Sequence, residues 1–290
     1  MSEGIKVGYL PLYIKLYDDS NPATRVGLDR YSKTLQDMIR AFDIEVVASP
    51  TCRIKPEFEA AIELFHKENG DAIVTQHLAY SPSLESIDAL EKASVPLIVL
   101  DTTPDYALLD MAGYQSGIMP NHGIHGVQDM CNLLKRRGIE YYLCVGHAMH
   151  SDVIAQVAGM CRAAAAAKAY KNARVGSVGG SFTGMGDFLV SDEEYREKIG
   201  AEVSYMGAET VREYLPKVTN EEIEREIALD KANFEFELTD EAAYREAVRS
   251  GLAVRKWADD NRLTALTVNF LTLDICGLPK MPFTECSKAM

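Results

Sequence analysis

Apolar residues in this chain fall in short runs separated by longer stretches of helical spacing. Residues 5–12 form an apolar run of strand length, limited by Pro11 near its end. Over residues 24–42, Val26, Tyr31, Leu35, Met38, Ile39 and Phe42 recur at the spacing of one helical face. The alternation continues with a strand at 44–48 and a helix at 55–68, whose Phe58, Ile62 and Phe65 share a face. Asn69-Gly70 stops that helix. A strand at 72–75, a helix through Leu84, Ile87 and Leu90, and a strand at 95–100 follow. A long connection, 101–120, leads to a helix at 126–138, a strand at 141–146 and a helix at 151–169. The strand runs are too apolar to face water on either side, which predicts a parallel sheet with helices on both faces and right-handed crossovers.

A second unit begins near Lys171-Asn172. It reads as strands at 173–178, 188–190, 202–205 and 265–270, with helices at 208–215, 219–232 and 239–259, the last holding the only tryptophan, Trp257. Ser191, three residues before Glu194, has the pattern of a capping box. The predicted fold class is α/β: two Rossmann-like or flavodoxin-like domains, 1–170 and 171–290, with parallel sheets flanked by helices.

Composition narrows the function classes. The chain has 290 residues, 47% hydrophobic and 25% charged, enough for a soluble protein with a sizeable core. Its net charge of −13 shows no basic face for nucleic acid. The one basic cluster, Lys135-Arg136-Arg137, closes a helix and suits its dipole. Six scattered cysteines without a CxxC pair predict buried, reduced thiols. The start, MSEGIKVGYLPLY, has no basic region leading into an apolar core, and no apolar run approaches the ~20 residues of a membrane span. The expected location is the cytoplasm, with no membrane partner.

In parallel sheets ligands sit at the carboxyl ends of the strands. The segments predicted there are 10–17, 76–82, 102–125 and 146–151, and they hold five of the six histidines, all but His66. They also hold Tyr13, Tyr17, Tyr80, Tyr106 and Tyr114, aromatic rings with a polar handle. The pair His122-x-x-His125 opens a helix. It can hydrogen-bond a polar small molecule, ligate a metal or serve the fold; without a carboxylate neighbour in sequence, the first is favoured. Cys144-x-x-His147-x-x-His150 has zinc-like spacing, but a cysteine in a strand running into a turn keeps the three from converging. The glycine-dense stretch 176–186 matches neither the P-loop nor the dinucleotide fingerprint, and reads better as a tight turn. No Ser/His/Asp or Cys/His catalytic set is evident. The residues alone predict a two-domain α/β protein with a histidine-bearing mouth for a small polar ligand, and leave its chemistry open.

Five segments, in order, resemble the L-arabinose isomerase and L-fucose isomerase family. They are GYLPLYIKLYDD, QHLAYSP, NHGIHGVQDMCNLLKRRGIEYYLCVGH, GGSFTGMGDFLVSDEEYREKIGAEV and TVNFLTLDICGLPKMPFTECSKAM. The resemblance implies a cytoplasmic homo-oligomer of three-domain subunits that interconverts an aldose and a ketose with Mn²⁺, through a cis-enediol. It implies substrate-facing roles for Leu12, Tyr13, Tyr80, His122 and His125 in the first domain, which the family supplies to a neighbouring subunit's site. Met185, Thr267 and Phe270 match positions near the sugar in the second. The family's metal-binding Glu-Gly-Asp segment would begin beyond Met290, so the catalytic acid and base remain unassigned. No metal is expected on this chain, and the 290 residues alone are expected to be inactive. His122 stands where arabinose isomerases carry glutamine, and Leu10 where they carry a polar residue, which leaves the sugar open. The alternative is a non-catalytic sugar-binding module.

Overall fold

The computed structural model describes residues 4–107, 114–235, 237 and 240–278, and divides into two compact units, Met1–Lys168 and Ala169–Met290. The first unit runs β1 (Ile5–Leu12), α1 (Lys15–Ser20), α2 (Pro22–Arg40), β2 (Ile44–Ala48), α3 (Lys55–Lys67) and β3 (Ala72–His77). It continues with α4 (Ser83–Leu90), β4 (Leu97–Asp101), α5 (Tyr114–Asn121), α6 (Gly123–Arg136), β5 (Tyr141–Val145) and α7 (Val153–Lys171). All five strands are parallel, in the order β2-β1-β3-β4-β5.

Two cores follow from the period-two alternation of the strands. Val7, Tyr9, Val74 and Ile98 pack with Leu35 and Ile39 of α2 and Val157 and Cys161 of α7. Leu10, Leu12, Ile73 and Val99 pack with Phe58 and Ile62 of α3, Ile87 of α4, and Val127 and Met130 of α6. The inner strands are therefore apolar on both faces, as their sequences required. Gly8 lets α3 close on the sheet: a Cβ there would lie 2.5 Å from Cγ of Phe65. From β1 the chain moves outward to β2, then returns past β1 to β3. This order is flavodoxin-like, and its switch point lies between β1 and β3.

Several elements depart from the sequence reading. The strand expected at 72–75 runs on to His77, because Pro11 and Leu12 pair with Gln76 and His77; His77 is thus a buried strand residue rather than a loop one. The short helix α1 follows β1 where a loop was expected, and α5 occupies part of the connection 101–120. Helix α6 begins at Gly123 rather than Gly126, so His122 is its N-cap and His125 lies in its first turn. Gly123 and Gly126 are the reason. Their missing side chains let this turn rest on β3, where a Cβ on Gly123 would lie 2.6 Å from the His77 carbonyl oxygen.

The second unit comprises β6 (Arg174–Val178), α8 (Asp192–Ile199), β7 (Glu202–Met206), α9 (Ala208–Tyr214), α10 (Asn220–Asn233), α11 (Glu241–Asp260) and β8 (Ala265–Val268). Its strands are parallel in the order β7-β6-β8, with a second switch point between β6 and β8. Val178 and Met206 pack with Tyr214, Ile223, Val248 and Trp257. The strand expected at 188–190 is absent. Gly186–Phe188 forms a single 3₁₀ turn, and Leu189 and Val190 stand exposed and unpaired with any strand among the described residues. The glycine-dense stretch is a turn, with Gly179, Gly180 and Gly184 at φ of 82°, 71° and 85°. Ser191 caps α8 by accepting from Glu194 N at 3.1 Å, and Thr219 with Glu222 forms a full capping box on α10. β8 ends at Val268 because Asn269 turns the chain, its side-chain oxygen accepting from Leu271 N at 3.0 Å.

Cys52, Cys131, Cys144, Cys161 and Cys276 are free and buried, and Cys286 lies outside the described residues. Among the described residues no helix is long and apolar enough to cross a membrane. Arg137 of the basic cluster pairs with Glu91 at 2.9 Å, so it serves the fold.

Candidate functional site

The mouth of the β1/β3 switch point is built by three segments. β1 delivers Leu12 and Tyr13, both fully buried. Two backbone bonds fix them, Leu78 N to Leu12 O at 2.8 Å and Tyr13 N to Cys52 O at 2.9 Å. The connection from β3 to α4 brings Tyr80, and the first turn of α6 brings His122 and His125. The rings form a continuous group. Tyr13 meets Tyr17 of α1 edge-on at 6.0 Å, Tyr17 stacks on His122 at 6.5 Å, and His122 lies 5.4 Å from Tyr80 and 4.7 Å from His125. The hydroxyl of Tyr17 is 2.9 Å from Nδ1 of His122.

The electrostatics favour neutral hydrogen-bonding rings at His122 and the three tyrosines. Burial lowers the pKa of His122, and the neighbouring His125 lowers it further. Burial raises Tyr17 and Tyr80, the latter also through the carboxylate of Asp129. Tyr13 is pushed up to about 12, by burial first and then by Asp18. A set of neutral donors and acceptors on aromatic rings suits a polyhydroxylated ligand, whose hydroxyls hydrogen-bond while its C–H faces pack on rings.

Asp129 of α6 ties the mouth together. It accepts from Tyr80 Oη at 3.2 Å and from the backbone N and Oγ of Ser83, each at 3.0 Å. It thereby meets one of the free amides at the start of α4, that of Ser83, and holds Tyr80 beside His122. Asp129→Ala is expected to lower stability by about 2 kcal/mol, the scale of losing bonds to a charged acceptor. Asp129→Asn should recover part of it; equal losses in urea unfolding would count against this clamp.

Beneath the mouth lies a concentration of buried polar atoms without hydrogen-bond partners among the described residues: Tyr13 Oη, Thr75 Oγ1, Gln76 Nε2, Ser81 Oγ and both ring nitrogens of His77. Gln76 does engage Tyr9 through its other atom, at 2.5 Å. His77 is 3% exposed, and burial holds its pKa down to about 3 against a smaller upward pull from Asp129. Polar groups gather at strand ends beneath a ligand mouth more readily than in a core selected for packing alone.

The sequence-predicted residues thus divide. Tyr80, His122 and His125 face one mouth in the first unit, whereas Leu12 and Tyr13, expected to face substrate, lie fully buried beneath it because their backbone is paired to Leu78 and Cys52. Met185, Thr267 and Phe270 lie in the second, all exposed. There Phe270 follows β8 with its ring 5.1 Å from that of Phe182, Met185 stands in the turn after β6, and Thr267 pairs with Ser177 inside β8. Sequence reasoning missed Asp129 and the burial of His77, which it placed in the loop at the same mouth. An acid four residues after His125 on a helix was the available signal for the first. The strand extension that buries His77 left none. A second ring group, Tyr106 with His147 and His150, sits at the ends of β4 and β5. It does not make the zinc site that spacing suggested. His147 uses one nitrogen on Pro104 O at 3.3 Å and the other on Met149 N at 3.2 Å, and Cys144 is buried in its strand. Among the described residues no three His, Cys, Asp or Glu side chains are placed to hold a metal ion, so the Mn²⁺ of the isomerase family has no fitting donor set there.

No family model matches the chain. It is 28% identical to the L-arabinose isomerases of Shewanella sp. strain ANA-3 and Shewanella baltica strain OS223 over 160 residues, 52% of this chain and 32% of theirs. The match thus spans about a third of the length of those curated relatives. Among solved structures it is similar to a periplasmic solute-binding protein of an ABC transporter from Actinobacillus succinogenes 130z with bound D-allose. That similarity has 12% identity, covers 90% of this chain and 76% of that one, and gives a TM-score of 0.27. A solute-binding protein from Bacillus halodurans C-125 with bound myo-inositol gives 13% identity, coverage of 94% and 79%, and a TM-score of 0.26. The chain is a mixed α/β protein of parallel sheets flanked by helices, with partial sequence similarity to L-arabinose isomerases.

Proposed function

We propose that this chain is the sugar-facing portion of an aldose–ketose isomerase of the arabinose and fucose isomerase type, and that its first unit binds and orients an aldose. One observation carries the reading: Tyr80, His122 and His125 gather at one switch-point mouth, with the buried Leu12 and Tyr13 directly after β1 beneath them, all five matched to that family from three separate segments. The partial similarity to L-arabinose isomerases supports it independently of that geometry. The ring of Tyr80 forms the wall, Tyr13 supports it from beneath, and His122 and His125 hydrogen-bond sugar oxygens. No step is assigned to Mn²⁺, because no three His, Cys, Asp or Glu side chains among the described residues are placed to hold it. In the whole enzyme the mouth would serve a neighbouring subunit of a homo-oligomer.

Titration of the chain with L-arabinose, L-fucose and D-ribose, followed by calorimetry and by histidine NMR signals, tests the proposal. Saturable binding that perturbs His122 and His125, and that falls about tenfold in His125→Ala, is expected, the scale of one lost hydrogen bond. Binding that leaves those signals unmoved would overturn the site. Turnover of sugar by the isolated chain, unaffected by a chelator, would overturn the isomerase portion and point to a different chemistry. Saturable binding by a protein whose complete chain lacks isomerase activity would favour a sugar-binding module.

A further inference from the structure

Helix α1 has six residues and no side-chain cap, too short to hold its shape alone. It is held in place by the residue beside Tyr17. Asp18 accepts from Arg25 at 2.7 Å and from Arg53 at 2.8 Å, and Arg53 is braced in turn by Glu57 at 2.6 Å. These part-buried pairs fasten α1 to α2 and to the segment before α3, and so fix where the Tyr17 ring stands. That ring lies near-parallel to His122, at an interplanar angle of 20°, with its hydroxyl 2.9 Å from Nδ1.

The direction of this bond follows from what each group can do. A neutral imidazole has one donor and one acceptor nitrogen, whereas a phenol is a ready donor. Among the described residues the Tyr17 hydroxyl has no other acceptor. If Nδ1 carried the proton, the Tyr17 oxygen would accept it and its own O–H would find no protein acceptor among the described residues. With Nδ1 accepting, the proton of His122 sits on Nε2. The other groups facing His122 are Tyr80 from the β3–α4 connection and His125 on α6, with Asp129 behind Tyr80. None of them bonds Nε2.

We propose that Tyr17 is a positioning residue that locks His122 in the Nε2–H tautomer and makes His122 a hydrogen-bond donor to a ligand oxygen. This rests on the sugar-binding reading above and specifies it. The ligand must present an acceptor, a hydroxyl, ring or carbonyl oxygen, at His122. A glutamine at this position could rotate to donate or accept; the locked imidazole offers a donor alone. An analogue lacking that oxygen is therefore discriminated against, because it leaves Nε2–H unpaired.

Long-range ¹H–¹⁵N spectra of the full chain labelled at histidine, recorded above pH 7, test the lock without any sugar. His122→Gln assigns the signals. The wild-type pattern is expected to be a single tautomer protonated at Nε2. Tyr17→Phe, which removes only the hydroxyl, should move it toward a mixture, and Tyr80→Phe should leave it unchanged. A proton on Nδ1 in the wild type, or an unaltered tautomer in Tyr17→Phe, overturns the lock. L-Arabinose and L-fucose then probe the donor role: Tyr17→Phe is expected to weaken whichever binds by about tenfold. Unchanged affinity beside a changed tautomer overturns the donor role. Absence of binding to the wild type refutes the sugar reading, and the donor role with it, while the tautomer spectra still decide the lock.

Discussion

Lowering the pH from 6.5 to 5 is expected to destabilise the first unit by about 2 kcal/mol through His77 alone, and His77→Leu is expected to remove that loss. The sign follows from the burial. In the folded protein His77 stays neutral down to about pH 3, while in the unfolded chain it takes up a proton near the ordinary 6.5. Between those values the unfolded state binds one more proton, so stability falls as the pH falls, by about 1.4 kcal/mol per pH unit. The contribution is complete above pH 6.5 and is lost progressively toward pH 3. Carboxylates titrate mostly below about pH 5 and are common to both proteins, so the difference between wild-type and His77→Leu unfolding curves isolates the histidine. Among the described residues neither ring nitrogen has a partner, so the apolar replacement should cost little at pH 7. Parallel pH profiles for the two proteins would show that His77 becomes protonated in the folded state.

The second large effect concerns the glycine that lets α6 rest on the same histidine. Gly126→Val is expected to cost about 3 kcal/mol, or roughly 6–12 °C in Tm for a unit of this size. A Cβ at this position would lie 2.4 Å from Cδ2 of His77 and 3.0 Å from the backbone N of Ser81. Neither neighbour is the free end of a flexible chain, so the first turn of α6 must lift. His122 and His125 ride on that turn, so under the proposed function ligand affinity should fall along with stability. Gly27, in α2, is the control, with nothing within 4 Å of a Cβ there. Gly27→Ala should be neutral or slightly stabilising by helix propensity. Trimming His77 to alanine in a Gly126→Ala background should recover part of the loss, because the clash and its relief involve the same pair. A Gly126→Val protein with wild-type Tm would mean that this contact is not close.

The outline of the molecule was legible in its sequence because strand and helix periodicity are local properties. The doubly apolar runs at β1, β3 and β4 announced a sheet covered on both faces, and the switch-point mouth followed from general rules of parallel sheets. Among the site residues, His122 and His125 were visible as polar groups at a helix start, and Tyr13 and Tyr80 as aromatics after strands. The strand expected at 188–190 failed for want of a neighbour, since a strand exists only by pairing. The helical start of α6 was misplaced because glycine is read as a breaker, whereas here two glycines are what a close helix–strand contact demands.

What the sequence determined by itself, then, was the alternation of elements, the parallel sheets and the set of titratable and aromatic groups at their carboxyl ends. Only the tertiary structure decided how those groups are used. It extended β3 by pairing with Pro11 and Leu12, and so buried His77 as a neutral ring. It brought Asp129 onto Tyr80 and Ser83 across 49 and 46 residues, and Tyr17 onto His122 across 105. Such contacts depend on where whole helices land on a sheet, and no local pattern encodes that distance.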